Sequence, residues 1–159
     1  MQRKISLEAL RGDMIDAPII DIVNGINSLS CCFTIQCCYG HFIFEGHPDP
    51  HSIEPLPDRC GILNVEYRIA YVALCIDNSE MGKRLFSGLN DITAVDPENV
   101  QFCCADWFWE RQINSYALQV EPDRFKHEDK AILDYQEALH IEKTRNALFS
   151  KLNIVLQKF

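Results

Sequence analysis

No stretch of this 159-residue chain approaches the roughly 18 consecutive apolar residues of a membrane-spanning helix, so none is expected. The opening Met1-Gln2-Arg3-Lys4-Ile5 has no apolar run behind it. No secretory signal peptide is therefore expected, and the thiols are expected to face a reducing cytoplasm. Cysteine, at eight residues or about 5%, falls short of a disulfide scaffold. None of the eight shows C-x-x-C spacing, so neither a zinc knuckle nor a dithiol redox motif is written into the chain. There is no G-x-G-x-x-G, which removes support for a doubly wound nucleotide-binding fold. Internal repeats and low-complexity segments are also missing. Nor is there an excess of positive charge: the net charge of −8 argues against a whole-surface grip on nucleic acid.

What is present reads as globular. Apolar residues make up 47% and charged residues 24%, so wholesale disorder is not expected. The length predicts a single domain over 1–159, large enough to bury roughly 70% of its unfolded surface. Basic residues gather at the ends, Arg3, Lys4 and Arg11 at one and Lys143, Arg145, Lys151 and Lys158 at the other. Complementing a helix dipole is the simpler reading of the latter group; a shared basic patch is the alternative.

Ile5, Leu7, Ala9 and Leu10 predict a short helix over 4–11. Asp16 before Ala17-Pro18 reads as the cap of a second helix, carrying Ile19, Ile20, Ile22, Val23 and Ile26 and ending near Asn27-Ser28. From Cys31 the composition turns to β-formers. Two strands, 31–37 and 41–45, or one bent strand, are expected, with Gly40 as a bulge, turn or close approach. Four prolines (Pro48, Pro50, Pro55 and Pro57) stiffen a loop over 46–60. Residues 62–76 predict one long strand, followed by a helix over 80–89 capped by Asn78 or Ser79. Short strands are expected at 101–104 and 116–120. From about Lys126 to Lys158 no Gly or Pro interrupts, and Ile132, Tyr135, Leu139, Leu148, Leu152, Val155 and Phe159 keep helical spacing. A helix that long either breaks near Thr144 or projects toward a partner. The fold class is thus α+β, a mainly antiparallel sheet covered by helices, with a long C-terminal helix.

Chemistry concentrates in Phe33-Thr34-Ile35-Gln36-Cys37-Cys38-Tyr39-Gly40-His41-Phe42. Reactive side chains inside an apolar strand need a reason. Cys37, Cys38, His41, His47 and His51 could make a metal or thiol site, but Pro48 and Pro50 forbid the helix that His47-x-x-x-His51 spacing would need. Cys38 and His41 lie three apart, on opposite faces of a regular strand, so only a turn at Gly40 would pair them. Trp107-Phe108-Trp109 with Arg111 could stack nucleobases, though core packing is the commoner use of such a run. Asp77, ending a strand, could hold ribose hydroxyls.

Ile26-Asn27-Ser28, then Phe33-Thr34 and Cys38-x-Gly40, resemble the wybutosine-synthesising tRNA methyltransferase family. There a helix ending Ile-Asn-Ser precedes a strand reading Tyr-Thr-Thr-Ser-Ser-Cys-Ser-Gly-Arg-Ile. Upstream, Arg3-Lys4 and Asp21 fall in places compatible with it, and the likeness covers some 40–45 residues. Gln36 and Cys37 stand where the family has paired serines, Tyr39 replaces a serine, and His41 replaces an arginine, a permanent cation. The resemblance implies a divergent cytoplasmic relative whose activity is lost or altered. S-adenosylmethionine would be the cofactor and RNA or a small molecule the ligand. Its implied residues are Thr34 and Gly40 for cofactor binding and Cys38 and His41 for catalysis, with no metal ligand. The alternatives are a non-enzymatic assembly protein that forms homo-oligomers through the C-terminal helix, or the metal/thiol protein above.

Overall fold

The computed structural model describes residues 2–12, 14–58, 61–106, 113–125 and 128–159. Its helices are α1 (Gln2–Gly12), α2 (Ile20–Ser28), α3 (Glu80–Asn90) and α4 (Tyr135–Leu156). Its strands are β1 (Cys32–Cys38), β2 (His41–Ile43), β3 (Asn64–Arg68), β4 (Ala70–Ile76), β5 (Val100–Cys104), β6 (Ser115–Val120) and β7 (Lys130–Asp134). The fold is α+β, with every strand pair among the described residues antiparallel and a long C-terminal helix.

The strands form two sheets, ordered β1-β4-β6-β5 and β2-β3-β7. The expected strand 62–76 is cut at Ile69 into β3 and β4, one in each sheet. The first polypeptide ribbon bends at the matching place: β1 pairs with β4, and β2 with β3. The bend turns on Gly40, whose φ of +89° disfavours any L side chain. A Cβ there would come within 2.7 Å of the Ala70 side chain, so Gly40 is required by conformation and by space together. Tyr67, fully buried on β3, knits the sheets. Its hydroxyl donates to the Val120 carbonyl and accepts from the Ala70 N–H, each at 2.9 Å. Burial pushes its phenol well above the ordinary range.

One hydrophobic core joins Ile22 and Ile26 of α2, Leu85 and Leu89 of α3, and Ile141, Leu148 and Leu152 of α4 to inward residues of both sheets. The helices form where the sequence caps them. Ser79 accepts from the Gly82 N–H at 3.0 Å to start α3, and Asp134 accepts from the Glu137 N–H at 2.9 Å to start α4.

The C-terminal helix corrects two expectations. It begins at Tyr135, not Lys126, because residues 130–134 form β7, paired with β3. At 22 residues it spans about 33 Å, and it neither breaks at Thr144 nor projects. Ala138, Ile141, Arg145, Leu148, Phe149 and Leu152 are buried within the chain, so one face of this helix packs on the chain itself. Ile132, expected on its apolar stripe, is a half-exposed strand residue. Among the described residues no helix is long and apolar enough to cross a membrane. Trp107-Phe108-Trp109 and Arg111 lie outside the described residues.

Candidate functional site

The bend at Gly40 decides what the Cys38–His41 segment can do. On a straight strand Cys38 and His41 would point apart. Because β1 ends at Cys38 and β2 starts at His41 in the other sheet, the two side chains meet. A third group joins them from the α1–α2 connection: ligand atoms of Asp16, Cys38 and His41 all lie within 4.8 Å of one another. Asp16 was expected to cap the second helix. It makes no side-chain capping bond; one carboxylate oxygen accepts from the Tyr39 N–H at 2.8 Å and lies 3.4 Å from His41 Nε2.

His41 is 4% exposed. Its Nδ1 lies 3.0 Å from the Ser52 carbonyl, which can only accept, so the hydrogen-bond network assigns the proton to Nδ1. Nε2 therefore faces Asp16 and Cys38. The 3.4 Å to Asp16 exceeds the 2.7–3.2 Å of a good N–H···O bond, so this is a loose pair inside a tight site. The Gly40 N–H reaches Cys38 Sγ at 3.4 Å. Burial is the larger influence on that thiol and pushes it above its ordinary range; the Gly40 N–H pulls it back in part. In the free protein Cys38 is thus a protonated thiol at neutral pH rather than a ready nucleophile.

Sequence reasoning passed over Arg145, which locks the bend from α4. It is 2% exposed, donates from Nη1 to the Gly40 carbonyl at 2.9 Å, and stacks over the Tyr39 and Phe42 rings at 4.0 and 5.1 Å. Glu142, one turn earlier, lies 3.7 Å from Nη2 and accepts from the Leu56 N–H at 2.9 Å, tying down the proline-rich loop. A permanent cation is therefore present at this corner, close to His41.

Thr34, Cys38, Gly40 and His41 do not all converge. Cys38, Gly40 and His41 meet at the bend. Thr34 lies farther along β1, opposite Leu74, whereas Cys38 lies opposite Tyr71. Thr34 is fully buried, its N–H donates to Asn27 Oδ1 at 2.8 Å, and its hydroxyl finds no partner among the described residues. Of the other metal candidates, His47 stacks on Phe44 and lies 2.7 Å from the Ser52 hydroxyl. His51 stands edge-on to His41 with ring centroids 6.0 Å apart. Neither they nor Cys37 belong to the Asp16–Cys38–His41 cluster.

A separate concave surface lies at the far end of the four-stranded sheet. An open cleft of about 450 Å³ is lined by Asp77, Asn78, Lys83, Phe86, Asn114 and Tyr116. Phe86 and Tyr116 meet edge to face at 5.0 Å. Asp77 is engaged in its own turn, accepting from the Ser79 N–H and hydroxyl.

The molecule is thus a two-sheet antiparallel α+β protein with a polar corner where the sheets meet. No family model and no curated protein sequence matches the chain. Solved structures do share its fold. The PH1069 protein from Pyrococcus horikoshii OT3 is 17% identical with a TM-score of 0.52, the match covering 98% of this chain and 90% of that one. A second structure of PH1069 from Pyrococcus horikoshii gives 12% identity and a TM-score of 0.50, over 98% of this chain and 91% of the other. A hypothetical protein from Aeropyrum pernix is 13% identical, with a TM-score of 0.46, over 89% of this chain and 98% of its own. At these identities the PH1069 likeness establishes the fold alone.

Proposed function

We propose that this chain is a divergent cytoplasmic relative of the wybutosine-type methyltransferases that keeps the family's framework and has altered its chemistry. The observation that carries this reading is the use made of the motif residues. Asn27 accepts from the Thr34 N–H, and Arg3 donates to the carbonyls of Asn27 and Cys32, each at 2.6 Å. Gly40 packs on Ala70. These residues join α1, α2, β1 and β2, which explains how a motif can persist as a joint while the groups around it change.

The altered His41 is now gathered with the retained Cys38 and with Asp16. The net charge of −8 fits a polyanionic tRNA poorly and favours a small-molecule substrate. Thr34 is fully buried and Gly40 is packed on Ala70, so we place S-adenosylmethionine away from them. The cleft beside Asp77, Phe86 and Tyr116 has the volume and aromatic walls for an adenosine-sized ligand. Calorimetric titration of the full chain with S-adenosylmethionine tests the reading. Binding that weakens in Tyr116→Ala is expected; no heat at millimolar ligand would overturn it.

A further inference from the structure

We infer that Asp16, Cys38 and His41 form a binding site for a zinc-type divalent cation. The inference stands on the geometry of the corner and does not depend on the methyltransferase reading. Thiolate, imidazole and carboxylate together are the donor set of a borderline-soft transition ion; the sulfur argues against magnesium and calcium. The spacing agrees. Tetrahedral zinc holding nitrogen and oxygen at about 2.0 Å separates those two atoms by about 3.3 Å. His41 Nε2 and Asp16 Oδ2 stand 3.4 Å apart, too far for a good hydrogen bond yet suited to a shared ion.

The outer contacts match as well. A metal-binding histidine usually donates its other ring N–H to a carbonyl or carboxylate, and His41 Nδ1 does so to Ser52. The Asp16 carboxylate is oriented by the Tyr39 N–H and the Cys38 sulfur by the Gly40 N–H. Every candidate ligand thus has a fixed outer partner, while the three ligand atoms face one another without a strong bond among them. Three protein ligands leave the fourth tetrahedral position for water or a substrate atom, the pattern of a zinc site that does chemistry.

The test uses full-length protein purified without a His tag, loaded with Co²⁺ in place of Zn²⁺, and competed with Zn²⁺ against a chromophoric chelator. The expected result is one equivalent per chain with a thiolate-to-cobalt charge-transfer band. Cys38→Ser should abolish that band. Asp16→Asn, whose amide oxygen still accepts from Tyr39, should weaken zinc at least by the roughly 10–100-fold that even an outer-shell partner is worth. Cys37→Ser and the His47→Gln/His51→Gln double variant should bind as the parent does. Wild-type protein without the band, or binding lost in the His47/His51 variant and kept in Asp16→Asn, overturns the inference. If Cys38→Ser fails to fold, the wild-type band and the Asp16→Asn titration still decide.

Discussion

Among the described residues two histidine–aspartate pairs stand out, and they are built in opposite ways. At Asp96 the histidine is the exposed partner. His140 Nε2 lies 2.8 Å from a carboxylate oxygen that also accepts from Thr144 and Asn99, each at 2.9 Å. That oxygen is saturated. At Asp16 the histidine is the buried partner, at 5% side-chain exposure against 61% for His140, yet its Nε2 stands 3.4 Å from the carboxylate oxygen. Burial normally demands tighter polar pairing, not looser. The Asp96 cluster is a joint that fastens the turn before β5 to α4. The Asp16 cluster gathers a carboxylate oxygen, a sulfur and a ring nitrogen within 4.8 Å of one another with no such bond joining them.

Breaking the frame of the corner should have the largest effect. Arg145→Met removes the cation stacked under Tyr39 and Phe42 and leaves Glu142 buried beside an apolar side chain. A loss of about 3–5 kcal/mol is expected in urea unfolding, because the remaining charge is uncompensated. A loss below about 1 kcal/mol would show that the bend does not depend on this residue.

Breaking the joint should cost less and carry a pH signature. Asp96→Ala strands the Thr144 and Asn99 donors and should lower stability by about 1–3 kcal/mol. Burial alone would raise the Asp96 carboxyl. The bonds from Asn99, Thr144 and His140 outweigh it and hold the group below its ordinary 3.8. A lowered acid stabilises the fold above its unfolded value, and that contribution is lost as pH falls through the folded value. The melting temperature of the parent should therefore drop more steeply below about pH 4 than that of Asp96→Ala. Parallel curves would contradict the assignment.

The smallest effect is expected at Thr34. Its buried hydroxyl has no partner among the described residues, and Thr34→Val removes it at nearly constant shape. Stability should be unchanged or raised by up to about 1 kcal/mol in thermal melts, whereas a loss above that would reveal an uncounted partner.

Much of the frame was legible in the sequence because its signals are local. β-formers interrupted by Gly40 announced β1 and β2, and Asn78-Ser79 before an amphipathic run announced α3, with Ser79 proving to be the cap. The failures were tertiary. Lys130-Ala131-Ile132-Leu133-Asp134 fits helical spacing, and only pairing with β3 makes it a strand. A local signal did exist there: Asp134-x-x-Glu137 has the spacing of a capping box and marks where α4 starts. The division of 62–76 at Ile69 leaves no comparable trace, since it follows from the bend in the facing ribbon. At the site, Cys38, Gly40 and His41 were legible as an unusual cluster. Asp16 was not, because an aspartate two residues before proline reads as a helix cap while its real partners lie more than twenty residues on. Arg145 was read as one of several cations near a helix end, because nothing local says that its guanidinium meets the Gly40 carbonyl 105 residues away.

X-ray absorption on the zinc-loaded protein tests the contrast between the two pairs most directly. A site at Asp16, Cys38 and His41 predicts one sulfur at about 2.3 Å with nitrogen and oxygen at about 2.0–2.1 Å, unchanged in Asp96→Ala. A shell of nitrogen and oxygen alone, or one that disappears in Asp96→Ala, would contradict it.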